Sequence, residues 1–352
     1  MALTAAMSAA ITGLKTHMDA LNVVGNNVAN VNTYGYKAGR VTFRESIYST
    51  SSAGSAGTTT MGGTNPTQIG YGTSVGTIDL DMSTQTLEST GYGLDVAIQG
   101  DGFFLVGPKG LTFKSVDDVS KLYFSKVGDF EFDADGYLTD GAGNVVYGFQ
   151  TVTDDGDAST NPADTPSTVL VPIRLPYKDA TTGDALYPTR GNPGDTANGT
   201  IDPDAVSGLV TLENISIDKN GCIKGTNGDT NTEVVVGYLA LGTVANPGGL
   251  LHTDGPYYTA GEAAGDIRLF APRSSVTGAL NNQDSTNTAT DAGDKLLAGS
   301  EVSLMPGFLE GSGTDLATEF SNMIIYQRGY QANTRIVTVT DAMLEELVNM
   351  KR

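Results

Sequence analysis

Two amphipathic stripes, one at each end of the chain, constrain this sequence more than any other feature. Leu3, Met7, Ala10, Leu14, His17, Leu21, Val24, Val28 and Val31 follow one another in alternating steps of four and three. Near the other end Leu316, Phe320, Met323, Gln327, Tyr330, Thr334, Val337, Asp341, Leu344 and Val348 keep the same rhythm. Beside them runs a second stripe, Ile336, Thr340, Met343, Leu347 and Met350. Such spacing places side chains on one face of a helix, with a heptad seam of the coiled-coil kind. The run from Thr334 to Thr340 is rich in β-branched residues and locally favours a strand, but helical periodicity on both sides argues for helix. Ser312, with Asp315 three residues later, reads as the start signal of this second helix.

A helix with one apolar face must bury it somewhere, because short isolated helices are marginal in water. At ~1.5 Å per residue each stripe extends roughly 45–55 Å, longer than the face of one small β domain. The stripes can pack on the chain's own body. Pairing with each other and with copies from neighbouring chains covers them more completely, and that is the expectation here.

Between the ends the period changes to two. Ile78, Leu80 and Met82 alternate, as do Leu94, Val96 and Ile98, then Phe130 and Phe132, Ile215 and Ile217, and Val234, Val236 and Tyr238. Asp135-Gly136 and Asn220-Gly221 stand where hairpin turns belong. The expected fold is mainly β, with antiparallel β structure in the middle and long N- and C-terminal α-helices pairing as a coiled coil. Residues 1–32 plus 312–352 would form the helical core domain and 33–70 an extended connector. Residues 71–150 plus 206–311 would form the β domain, and 151–205 a small inserted outer module. Residues 273–295 read as a polar loop.

Charge follows the same division. The net charge is −20; residues 1–37 carry +1 and residues 315–352 carry −1, so the middle holds the acidity. An acidic body argues against binding nucleic-acid phosphates or anionic lipid, and no apolar run is long enough to cross a membrane. The N-terminus lacks the pattern of a cleaved signal peptide, which suggests a cytosolic protein or one exported by another route. With two His, His17 and His252, and one Cys, Cys222, the residues offer no multi-His zinc site, CxxC site or intrachain disulfide.

Motifs that invite chemistry read better as structure. Gly70-Tyr-Gly72 and Gly100-Asp-Gly102 lack phosphate-loop spacing. Glu131, Asp133, Asp135 and Gly136 match the start of a calcium loop, but Ala142 stands where the closing Glu is needed. His252 has no G-x-S-x-G partner, and Cys222 reads as a packing residue. No catalytic, cofactor or metal residue is assigned.

The stretch Leu21 to Lys37, LNVVGNNVANVNTYGYK, resembles the amino-terminal signature of the bacterial flagellar rod and hook family. Asp315–Phe320, Tyr326–Arg335 and Met343–Arg352 resemble its carboxyl half, and Leu94–Phe104 and Thr243–Leu250 match internal segments. The motif positions are Asn26, Asn27, Asn30, Asn32, Gly35, Tyr36 and Lys37 at one end, and Gln327, Arg328, Tyr330, Gln331, Ala332 and Asn333 at the other. Gly39-Arg40-Val41-Thr42-Phe43 and the extra 151–205 segment look closer to hook than to distal rod subunits. Ser312-Gly313-Thr314 departs from the usual Ser-Asn-Val.

The resemblance implies a non-enzymatic subunit, without cofactor, of a flexible hollow tube joining the motor rod to the filament. It implies a homopolymer touching the distal rod, the hook cap and the hook–filament junction proteins, placed outside the cell by the flagellar type III export apparatus. The seam would then be the subunit interface: Leu3, Met7, Leu14, Leu21, Val24, Val28 and Val31 on one helix, and Leu316, Phe320, Met323, Tyr330, Val337, Leu344 and Val348 on the other. The competing readings are a secreted β-rich enzyme acting on polysaccharide and a monomeric adhesin module.

Overall fold

The computed structural model describes residues 2–111, 116–151, 166–186, 206–272 and 302–350. The polar loop expected at 273–295 and much of the 151–205 insert lie outside these residues. The chain divides into two compact units, one of residues 1–33, 37–81 and 312–352, the other of residues 34–36 and 82–311.

The first unit is built on two helices, α1 (Ala2–Ala29) and α2 (Leu316–Met350), that pack against each other. They run antiparallel. Gly13 lies against Asn333, Gly329 against His17, and Asn27 is hydrogen-bonded to Glu319, so numbers rise on one helix as they fall on the other. The expected start of α2 shifts by three residues. Asp315 is its cap, its carboxylate accepting from the Ala317 N–H (3.0 Å) and the Thr318 hydroxyl (2.6 Å), while Ser312 only closes a turn to Thr314. The β-branched run is helical, with the Thr334, Thr338 and Thr340 hydroxyls donating to carbonyls three or four residues back. α1 ends at Ala29, and Val31 falls in the turn beyond it, where the Asn30 side chain bonds back to Asn26.

Residues 39–80, expected as a connector and the first β strand of the body, form one long antiparallel ribbon instead. Strand β1 (Gly39–Glu45) and strand β2 (Tyr48–Ser52) lead outward; β3 (Thr67–Gly70) and β4 (Thr73–Leu80) return, pairing β2 with β3 and β1 with β4. Backbone bonds from Ser46 to Gly72 and from Tyr71 to Ile47 carry the ladder across the join. Sequence alone does not show this ribbon, because its small polar residues pair through backbone groups that any residue supplies. The ribbon packs on α1: the Thr12 and Thr16 hydroxyls donate mainly to the helix carbonyls of Ala9 (2.8 Å) and Thr12 (2.7 Å) and also approach the carbonyls of Tyr71 (3.4 Å) and Thr73 (3.3 Å). Gly72 makes this possible, since its φ is +103° and a side chain there would strike Thr12 and the Ala9 backbone. Ile78 therefore stands exposed on the ribbon rather than in a β core.

The second unit is antiparallel β throughout. Its main sheet runs through Leu212–Ile217, Cys222–Asn227, Glu233–Leu239, Val145–Thr151, Phe103–Gly107, Tyr123–Ser125, Tyr257–Ala260 and Leu250–His252. Val96, Ile98, Phe104, Phe130, Leu138, Val146, Ile223 and Leu239 form its core, and Phe104 meets Phe130 edge-on at 5.1 Å. Both expected glycine turns are present: Gly136 (φ +81°) joins Phe130–Phe132 to Leu138–Asp140, and Gly221 (φ +76°) joins Leu212–Ile217 to Cys222–Asn227. In each, an Asp closes the turn with its own backbone, Asp133 to Tyr137 and Asp218 to Cys222. The acidic residues around Asp133 and Asp135 are thus hairpin residues. Cys222 is buried in its strand. Within the insert, Pro166–Pro172 joins the main sheet, while Tyr177–Asp179 and Ala185–Leu186 make a small three-stranded sheet with Val206–Leu209, which lies just past the expected end of the insert.

Candidate assembly interface

Helix α1 buries small residues against its partners. Ala10, Gly13, Thr16, Ala20, Val24 and Asn27 are its buried positions, spaced by threes and fours. Small residues let the helices approach closely: a Cβ on Gly13 would lie 2.6 Å from the Asn333 amide, and one on Gly329 would lie 2.7 Å from the His17 ring. The inward face of α2 is Glu319, Asn322, Tyr326, Gly329, Asn333, Val337, Thr340 and Leu344, all buried or half-buried.

The expected seam therefore lies to one side of the intramolecular contact. Of its α1 members Ala10 and Val24 are buried; Met7, Leu14, Leu21 and Val28 are half-buried, and the Leu3 side chain lies outside the described residues. Met7, Leu14 and Leu21 interleave with Ile11 and Met18, each about half exposed, to make a continuous ridge in steps of four and three. On α2, Met323, Val337 and Leu344 are half-buried, whereas Leu316, Phe320, Tyr330 and Val348 are exposed. The second stripe is barer still: Ile336, Met343, Leu347 and Met350 are exposed, as are Ile325 and Val339 beside them. Thr340 alone of that stripe is buried. Contiguous exposed apolar surface of this kind marks a site of association.

Polar groups tie the unit together at one end of the helix pair. The Asn27 amide donates to the Gly39 carbonyl (2.8 Å) and to Glu319 Oε1 (2.9 Å), and its oxygen accepts from the Gly39 N–H (3.0 Å). The Thr314 hydroxyl donates to the Asn27 carbonyl. One side chain thus joins α1, β1 and the start of α2, a job that requires an amide with donor and acceptor. A cavity of about 460 Å³ opens beside it, walled by Val23 and Val24 of α1, by β1 and β4, and by Glu319, Asn322 and Tyr326 of α2. Glu319 Oε2 is shielded from solvent and has no hydrogen-bond partner among the described residues.

Farther along, His17 sits between Phe43 and Tyr326, at 5.7 and 6.2 Å between ring centres, and Phe43 meets Tyr326 edge-on. Burial holds the His17 imidazole below its usual range and raises the Tyr326 phenol. Asp315 is held below the usual carboxylate range by the Thr318 hydroxyl and the N–H groups it caps.

The other motif positions divide by role. Asn26 and Asn30 are bonded to each other in the turn ending α1, and Asn32 is exposed. In the β unit, Gly35 (φ +67°) donates its N–H to the Glu310 carbonyl, and Tyr36 is half-buried. Lys37, in the helical unit, is buried. Gln327, Arg328, Tyr330, Gln331 and Ala332 all face outward from α2, with only Asn333 turned toward α1. The small-residue stripe of α1 and the ribbon contacts at Thr12, Thr16 and Gly72 escape a search for apolar periodicity; small side chains at three- and four-residue spacing are the signal that reveals them.

No described helix is long and apolar enough to cross a membrane. A family model for the flagella basal body rod protein matches residues 7–37, and one for the flagellar basal body rod FlgEFG protein C-terminal region matches residues 305–350. The chain is 31% identical to the flagellar basal-body rod protein FlgG of Bacillus subtilis over 342 residues, covering 97% of each chain. It is 25% identical to the flagellar hook protein FlgE of Borreliella burgdorferi, over 97% of this chain and 98% of the other. It is 26% identical to FlgE of Salmonella typhimurium, over 98% and 99%. The matched ends are the two helices whose apolar ridges stand bare, and the chain belongs to the flagellar hook and basal-body rod protein family, structural subunits of the bacterial flagellum.

Proposed function

We propose that the chain is a subunit of the flagellar hook that polymerises into a flexible hollow tube coupling the motor rod to the filament. The observation that carries this reading is the exposed apolar side chains on each helix, Ile11 and Met18 on α1 and Ile336 to Met350 on α2, in a chain whose β unit seals its own core. Neighbouring copies cover those ridges, so that α1 and α2 form a coiled-coil inner layer around a channel. The seam residues named above, from Leu3 to Val31 and from Leu316 to Val348, lie at or beside that interface.

The acidic β body repels its copies in the cytosol at low ionic strength and limits premature association. Polar, glycine-rich outer contacts let β domains slide as the tube bends, whereas a dry apolar seam would lock one register. Export runs through the flagellar type III apparatus, and the ends of the tube meet the distal rod, the hook cap and the hook–filament junction proteins.

A distal rod subunit is the second reading. It is favoured by the near-equal length of the match to FlgG, 342 aligned residues, against 470 and 426 for the two hook proteins. Electron microscopy of purified protein under polymerising conditions separates these outcomes. Curved, bendable tubes support the hook reading, straight rigid tubes the rod reading, and persistent monomers under all conditions overturn both.

A further inference from the structure

Helix α2 carries a face that its own chain does not explain. Ile324, Arg328, Ala332, Arg335, Val339 and Met343 recur in steps of four, four, three, four and four, and all are exposed. Arg328 and Arg335 have no ion-pair partner among the described residues, although the chain holds 40 acids to 20 bases. Two unpaired guanidinium groups set among apolar side chains suit a covering surface that is itself apolar with a carboxylate at fixed places.

The same unit offers such a surface. The cavity beside Asn27 is walled by Val23, Val24, Val41 and Leu80, and Glu319 stands on its wall; the Oε2 of that carboxylate is shielded and lacks a donor among the described residues, so a partner must turn the side chain to reach it. Its lining cation, Arg40, is already engaged by Asp79 at 3.4 Å. A shielded carboxylate oxygen without a donor is costly, and a guanidinium satisfies it with directed N–H groups. Arg328 of the same chain cannot do this. It lies nine residues along α2, about 14 Å away and half a turn round the helix.

We propose that the Glu319 cavity receives a guanidinium from the Arg328–Arg335 face of a second copy of this chain. The contact joins two different surfaces, so each copy keeps a free cavity and a free arginine face after pairing. Contacts of that type propagate into an open helical assembly rather than closing a dimer. The inference rests on the assembly reading above and specifies one of its joints.

The test uses the full chain, with polymerisation followed by light scattering and microscopy. Glu319→Gln keeps the acceptor for Asn27 and removes the charge. The double change Arg328→Gln, Arg335→Gln alters only exposed side chains and leaves the monomer fold intact. Each is expected to raise the critical concentration about tenfold or more, the scale of losing one side of a desolvated charge pair. A chain carrying Glu319→Gln together with Arg328→Gln and Arg335→Gln is expected to lose no more than the worse of the two separate variants, because both remove the same contact. Assembly at the unaltered concentration by the double arginine variant overturns the proposal, as does a combined variant whose loss is the full sum of the two. Failure of the unaltered chain to polymerise instead removes the assembly reading itself.

Discussion

The two units spend their apolar residues in opposite ways. In the β unit the large side chains point inward, and among the described residues only Tyr34, Tyr92 and Leu251 stand exposed. In the helical unit the buried apolar side chains are Ala10, Ala20 and Val24, while Ile11, Met18, Phe320, Ile325, Val339, Met343, Leu347 and Met350 face outward. One unit is a finished core; the other has its close contact made by small residues and its large apolar residues left over. Burial stabilises by roughly 25 cal/mol per Å² of apolar surface, so the helices gain most of their stability only when something else covers them. The difference separates what folds a subunit from what joins subunits.

The sharpest break in this comparison comes from truncating each kind of residue. Phe104→Ala, in the sealed core, should cost about 3–5 kcal/mol in denaturant unfolding of the isolated chain. Gly72→Ala attacks the join between ribbon and α1 through both left-handed backbone and collision with Thr12. It should cost about 2–4 kcal/mol locally, seen as faster hydrogen exchange in Thr73–Leu80 with the β unit unchanged. The pair Ile11→Ser, Met18→Ser should cost the monomer only about 1–2 kcal/mol while preventing tube formation, because the ridge does its main work between chains.

A smaller effect is expected from pH. His17 is held neutral by burial, below its ordinary value of 6.5, so the unfolded chain takes up a proton before the folded one does. The helix pair should keep its full stability above about pH 6.5 and weaken as pH falls through that value toward the depressed folded one. Helical circular dichroism of the monomer against pH checks this. His17→Gln should flatten the profile; an unchanged profile would assign the acid response to other groups.

How far the sequence revealed this division depended on what each contact is made of. The terminal helices were legible because apolar residues recur at three and four, and the β middle because they recur at two. The glycine turns were legible because Gly136 and Gly221 occupy left-handed positions that other residues avoid. Beyond Ala10 and Val24, the face that α1 buries was not, because Gly13, Thr16 and Ala20 carry little apolar signal; what makes them a face is how closely α2 approaches. Phe320 and Met343 showed stripes that one chain was not expected to cover, but not which of their residues the helix pair would leave bare. The 39–80 ribbon was hidden for a related reason, since backbone pairing holds it together and its side chains, such as Ser49, Thr50 and Gln68, leave no periodic mark. Asp315 rather than Ser312 caps α2 because its carboxylate reaches both Ala317 and Thr318, a geometry that spacing alone does not choose.

Methionine oxidation tests the central claim most directly, because Met18, Met343 and Met350 stand on the bare ridges of α1 and α2. Peptide mapping after mild peroxide should find all three oxidised readily in the monomer and about fivefold or more slowly in assembled tubes. Equal rates in monomer and tube would show that the ridges stay in water after assembly, and would contradict the account.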